Sequence, residues 1–286
     1  MCARGIVPGE WIQQPDEISY LEAKIWVSDN FSEVLNKNGV GYSDGSGGPN
    51  EVPREVKCVS FGAATFRFEH NEKDFSIEDL AVMGGQVPGK QTVPRSELWG
   101  AIQILCRADL DTDIGLGIDA AYVTNGVVNM DQLCKGSNGD LWSIMQKLIE
   151  DRPGLTAAFK IKSHLEDEGP SAIANQKIAF DDLVGNSLAD EAAEQVAKLI
   201  QPDLNIQNKA KRNGSLGFNV AKRIAIIQAE IWNGNDPTDR ILEFELLPKE
   251  HNVNQKHHNA IHMLKALRCG HRLVPTTRGY KCISCL

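Results

Sequence analysis

Apolar positions along the chain change period several times, and the changes mark out its elements. Val40–Asp44 and "CVSFGAATFRF" (58–68) are rich in β-branched and aromatic residues between turn signals, which predicts strands. "LAVMGGQV" (80–87) predicts a third strand, after the polar stretch "HNEKDFSIED", which reads as a loop. At Pro94 the period becomes helical. Leu98, Ala101, Ile102 and Cys106 recur three and four apart, and a proline in the first turn forfeits no hydrogen bond. "IGLGI" (114–118) is a short buried strand ending at Asp119, and "AAYVTNGVVNM" continues as helix. A further helix carries Leu141, Ile144, Met145 and Leu148 on one face, with Pro153-Gly154 as its stop. "LTAAFKIKSH" (155–164) predicts another strand, then a loop rich in Glu, Asp and Gly, then a long helix over "DLVGNSLADEAAEQVAKLI" (182–200).

Three strands followed by alternating helices and strands give a mixed α/β sheet flanked by helices. The domain is expected over 38–200. Residues 1–37 form an N-terminal extension of unknown role, in which one or two helical turns are anchored by Tyr20, Ile25 and Trp26. Residues 201–286 comprise a linker, "QPDLNIQNKAKRNGS", an amphipathic helix over 220–234, and a tail rich in Cys and His.

The 286 residues carry a net charge of −8, with 42% hydrophobic and 24% charged positions, ordinary values for a globular chain. Total charge therefore does not advertise nucleic-acid binding, although an acidic chain can hold cations that bridge it to a polyanion. No apolar run of about 18 residues predicts a membrane span. The start, "MCARGIVPGEWIQQPDE", does not read as a signal peptide, and the seven cysteines are odd in number. The expectation is an intracellular protein, cytoplasmic or nuclear, with reduced thiols and no membrane partner.

Four acids change the picture. "GYSDGSGGPN" (41–50) places Asp44 at a strand end, ahead of glycines. As a local feature it is a turn, since Asp-Gly and Gly-rich segments are loop formers. Asp119 also ends a strand, Glu97 lies one turn into the helix after the hairpins, and Asp190 lies in the last long helix among Leu188, Ala189 and Ala192. Acids brought from separate elements of a rigid scaffold cannot all stay ionised unless cations neutralise them. Magnesium, a small hard ion, prefers such oxygen ligands, and a pair of ions can clamp a phosphodiester.

"YSDGSG", "PRSELWGAIQIL", "GIDAAYVTNGV", "IKSH" and "GNSLADEAA" resemble, in order, the motifs of type 1 ribonuclease H, over roughly residues 38–198. The resemblance implies a ribonuclease H-like five-stranded mixed sheet flanked by helices. It implies catalytic acids at Asp44, Glu97, Asp119 and Asp190 and an assisting His164 on a mobile loop. It implies two Mg²⁺ ions on the four acids, replaceable by Mn²⁺. The implied activity is endonucleolytic hydrolysis of the RNA strand of RNA–DNA hybrids. A competing alignment that uses Val123–Asn125 would replace the third acid by asparagine; the run "DAAYVTNGV" favours Asp119. Gly45, Ser46 and Thr92 are the expected substrate contacts, and Gln91 is a further candidate. Where the family often has two asparagines before the glutamate, this chain has Val93 and Pro94, and it has no room for a basic handle helix. "PRSELW" and the long loop after His164 are closer to retroelement modules, which are commonly parts of a larger polyprotein. The alternatives are a catalytically silent nucleic-acid-binding module derived from a retroelement, and a structural or interaction domain.

At the C-terminus, Cys269, His271, Cys282 and Cys285 have soft-ligand spacing that resembles a zinc site. Basic neighbours such as Lys265, Arg268 and Arg272 would form a phosphate-binding patch beside it.

Overall fold

The structure is a computed structural model that describes residues 17–71, 74–162, 173, 175, 178–232, 273–276 and 279–282. The chain divides after Gln207. Residues 14–207 form one unit, built on a six-stranded sheet of β1 (Ile25–Val27), β2 (Val40–Ser46), β3 (Ser60–Asn71), β4 (Asp74–Gln86), β5 (Ile114–Ile118) and β6 (Thr156–Lys160). The spatial order is β1-β4-β3-β2-β5-β6. β2, β3 and β4 are an antiparallel meander, whereas β5 and β6 run parallel to β2. Parallel neighbours need a crossover. The β2-to-β5 path is closed by α2 (Val93–Leu105), and the β5-to-β6 path by α3 (Ala121–Gly126), α4 (Met130–Leu133) and α5 (Gly139–Glu150).

The side chains of β2 alternate between two covering layers, as strand geometry requires. A Cβ on Gly41 or Gly45 would meet α2 side chains, so the odd-numbered positions face α2. Tyr42 lies against Gly185 of α6 (Phe180–Leu199) on the other face. The larger core cluster joins α1 (Phe31–Asn38), α2 and α5 to the sheet through Phe31, Leu35, Phe61, Leu98, Ile102 and Trp142. The smaller one joins Tyr42, Phe66, Ile161 and Ala189. α6 packs across β2, β3 and β4.

Helix α6 and the sheet approach closely at Gly62. A Cβ there would lie 2.1 Å from the Ala189 carbonyl oxygen and 2.4 Å from the Ala193 nitrogen. Gly62 is paired with Asp44 across β2 and β3. Only the missing side chain lets the α6 backbone reach the sheet beside Asp44. Gln201 closes the far end of α6: its amide donates to the Cys58 carbonyl (2.8 Å), and its Oε1 accepts from the Cys58 N–H (3.1 Å).

The structure departs from the sequence reading in four places. The five expected strands, β2–β6, are joined by a sixth, β1, at the sheet edge. The polar stretch 70–79 is not a loop but the outer part of the β3–β4 hairpin, paired as far as Asn71 with Asp74. Charge pairs such as Arg67 to Glu78 (2.6 Å) stand there in place of apolar alternation. Near the N-terminus Ile25 packs against the larger core cluster as expected, but the fully buried anchors are Phe31, Val34 and Leu35 of α1, while Tyr20 and Trp26 are 44% and 46% exposed. The supposed linker after Gln201 is helical. α7 runs unbroken over Leu204–Trp232, and the Asp203 carboxylate accepts from the N–H groups of Asn205 (2.8 Å) and Ile206 (3.0 Å) at its start.

The other unit comprises residues 1–13 and 208–286 and includes most of α7 and a hairpin of β7 (Leu273–Thr276) and β8 (Gly279–Cys282). Among the described residues, no helix is long and apolar enough to cross a membrane.

The Gly62 contact generates a prediction. Gly62→Val forces α6 away from β3, because the obstructing atoms are backbone and cannot swing aside. Urea unfolding is expected to show a loss of about 3 kcal/mol, the upper range for overpacking. Gly136→Ala, whose Cβ would meet only the Leu133 oxygen at 3.5 Å, is the control and should cost far less.

Candidate metal centre

Strand register brings the first two acids together. β2 and β5 are parallel, with Ser43 opposite Ile118, so the next residues along each strand direction are Asp44 and Asp119. Glu97 comes from α2, which Gly45 admits closely. A Cβ on Gly45 would lie 2.4 Å from Ser96 Oγ and 2.9 Å from the Glu97 nitrogen. As a result, carboxylate oxygens of Asp44, Glu97 and Asp119 all lie within 4.8 Å of one another. Asp44 is 9% exposed and Glu97 is 6% exposed. Asp190, one residue beyond Ala189 on α6, stands outside this close group, but its charge acts on Asp44.

Burial and crowding both oppose ionisation. Burial, then the charge of Asp119 and further that of Asp190, push the Asp44 carboxyl up to about 7, against a backbone hydrogen bond from the Gly45 N–H (2.6 Å) that favours the charged form. Burial first, then the charges of Asp44 and Asp119, raise Glu97 well above the usual carboxylate range. Glu97 Oε2 is buried with no hydrogen-bond partner. A buried oxygen left unpaired is costly. A hard divalent cation would satisfy it, and three converging carboxylates are the donor set such an ion prefers. The residues therefore fit a divalent ion such as Mg²⁺.

The other expected site residues are distributed differently. Thr92 is exposed at the N-cap position of α2 and makes no side-chain cap hydrogen bond. Ser46 Oγ accepts from the Gly48 N–H (3.2 Å), and Gly48 has φ +76°, so a turn geometry uses the glycines after Asp44. Gln91 is turned inward: its Oε1 accepts from the Val59 N–H (3.0 Å), and its Nε2 donates to the carbonyls of Val87 and Gly89 (both 2.9 Å). Its amide is used up in joining the residue before β3 to the loop before α2. His164, Cys269, His271 and Cys285 lie outside the described residues, as does the side chain of Cys282 in β8.

Sequence reasoning missed two features that build this site. Gly62 sits inside the apolar run of β3 and was legible only as a strand glycine, a mark of close backbone approach. Arg95 is 4% exposed and joined to Asp140, 45 positions along the chain, a separation that no local pattern reveals.

No family model matches the chain, and no curated protein matches it. Solved structures do. The prototype foamy virus protease-reverse transcriptase aligns at 13% identity and a TM-score of 0.36, over 55% of this chain and 21% of that one. The chain thus spans about a fifth of that protein. RNase H1 from the halophilic archaeon Halobacterium salinarum aligns at 16% identity and a TM-score of 0.31, over 54% of this chain and 95% of that one. LC11-RNase H1, solved with an RNA/DNA hybrid, aligns at 12% identity and a TM-score of 0.31, over 54% and 95%. In this chain, β2–β6 make a mixed sheet covered by helices, with a sixth strand added at its edge.

Raised carboxyls fix the sign of a pH effect. In the metal-free protein, the stabilising contribution of neutral Asp44 is fully present below about pH 4 and lost as pH rises through about 7, and the raised Glu97 acts in the same direction. Added Mg²⁺ is expected to raise Tm strongly at about pH 8 and little at about pH 5, because binding must displace those protons. Asp44→Asn should raise the metal-free Tm at about pH 8 and abolish the Mg²⁺ increment. Scanning calorimetry at the two pH values, with and without Mg²⁺, checks all three.

Proposed function

We propose that this chain is a divalent-metal-dependent endonuclease that hydrolyses the RNA strand of RNA–DNA hybrids. The observation that carries the reading is the convergence of Asp44, Glu97 and Asp119, from two parallel strand ends and a crossover helix, on one point within 4.8 Å. Asp190, on α6, acts on Asp44 through its charge.

In this reading Asp44, Glu97 and Asp119 would hold one ion, and Asp44 with Asp190 would hold a second. Bound ions would supply an activated water and stabilise the leaving oxygen of the phosphodiester. The chain itself supplies position. β2 and β5 fix Asp44 and Asp119 in register, Gly45 and Gly62 seat α2 and α6 against the sheet, and burial keeps the carboxylates of Asp44 and Glu97 from relaxing into water. Thr92, exposed at the start of α2, and the Gly45–Ser46 backbone are the proposed hybrid contacts. A wide, shallow minor groove lined by 2′-hydroxyls is the feature for them to read. His164 belongs to the proposal as the proton carrier, and the domain as one part of a retroelement polyprotein.

The test is cleavage of end-labelled RNA–DNA hybrid, duplex DNA and duplex RNA, with Mg²⁺ and then Mn²⁺. Cut RNA is expected in the hybrid alone. Asp119→Asn is expected to lower the rate on the order of 10²–10³-fold, the scale of losing one preorganised transition-state stabiliser. Hybrid binding without cleavage in either metal would replace the enzyme by a silent binding module.

A further inference from the structure

The helix that presents Glu97 begins poorly. Its N-cap residue, Thr92, makes no side-chain cap bond, and no acid sits in its first turn. Instead Arg95 stands there, a cation where the helix dipole disfavours one. Its guanidinium is almost fully buried, at 4% exposure, and every nitrogen has a partner. Nε donates to the Pro88 carbonyl (2.6 Å), Nη1 to Asp140 Oδ1 (2.9 Å), and Nη2 to Asp140 Oδ2 (2.5 Å) and Tyr20 Oη (3.2 Å). The Tyr20 hydroxyl also donates to Asp140. The Tyr20 ring packs edge-on against Trp99, at 5.7 Å and 63°.

The network also reaches the element that follows Asp119. Arg95 Nη1 donates to Asn138 Oδ1 (3.4 Å), and Asn138 Nδ2 donates to the Tyr122 hydroxyl (3.3 Å), which accepts from Trp142 Nε1 (2.7 Å). Tyr122 lies three residues after Asp119, and its ring meets the fully buried Trp142 edge-on at 5.5 Å. Asn138 sits at φ +61°, the only non-glycine with positive φ among the described residues. A left-handed residue held at a network node is strain kept in place by its surroundings.

From these contacts we infer that Arg95 is a positioning residue for the metal centre. Its fork, with Asn138, fixes the first turns of α2 against the segment after Asp119, and so sets the separation of Glu97 and Asp119. On its other side α2 is stopped by β2 at Gly45. The turn bearing Glu97 is therefore clamped from both sides. A bidentate fork can do this and a lysine cannot, because only the planar guanidinium meets Asp140, Pro88 and Asn138 at once. The inference rests on the metal-dependent reading of the site.

The test measures Mn²⁺ binding by electron paramagnetic resonance, alongside Tm and the Mn²⁺ concentration for half-maximal hybrid cleavage. The full chain is compared with Arg95→Lys and Asn138→Gly. The second keeps the left-handed backbone but loses both side-chain hydrogen bonds, so it is expected to fold with a slightly lower Tm. Both variants are expected to bind Mn²⁺ about tenfold more weakly, the scale of losing a ligand-orienting partner. Cleavage should recover when Mn²⁺ is raised. Wild-type affinity in a folded Asn138→Gly and a folded Arg95→Lys would overturn the positioning role while leaving the metal centre intact. No Mn²⁺ binding by the wild type would overturn the metal centre, and the positioning role with it.

Discussion

Three carboxylates held within 4.8 Å of one another in a poorly solvated site repel, and that repulsion is the constraint on which the rest of the structure depends. Left to relax, Asp44, Glu97 and Asp119 would separate or take up protons. The fold prevents separation by drawing each from a different rigid element. Asp44 and Asp119 come from adjacent parallel strands whose register is fixed by main-chain hydrogen bonds, and Glu97 from the crossover helix between them. What remains is protonation, and the raised carboxyls of Asp44 and Glu97 record it. A site in this condition is poised to exchange protons for a cation.

Glycine does much of the positioning. Gly45 and Gly62 flank Asp44, one next to it on β2 and the other opposite it on β3, and each admits one helix. Through Gly45 comes α2 with Glu97; through Gly62 comes α6 with Asp190. The acid at the centre is thus surrounded by positions where a side chain would hold a helix off.

Much of this was legible in the sequence because strand ends and helix starts carry local signals. The apolar runs ending at Asp44 and Asp119, and the helical period opening at Pro94, located those two acids and Glu97. Their meeting needs the parallel β2–β5 pairing, which only the succession of elements suggested. Other features left no local trace. The β3–β4 ribbon runs on through a charged stretch, stabilised across strands by pairs such as Arg67 with Glu78. α7 runs through Gly214 in a segment whose composition reads as a linker. Gln91, a candidate for substrate, is occupied by three main-chain groups that come together only on folding.

The most direct test of the central claim is a crystal structure with Mn²⁺, read by anomalous scattering. The account predicts two peaks, one among Asp44, Glu97 and Asp119 and a second between Asp44 and Asp190. An anomalous map with no peak at these carboxylates, from crystals grown above about pH 7.5 where Asp44 is largely ionised, would contradict it.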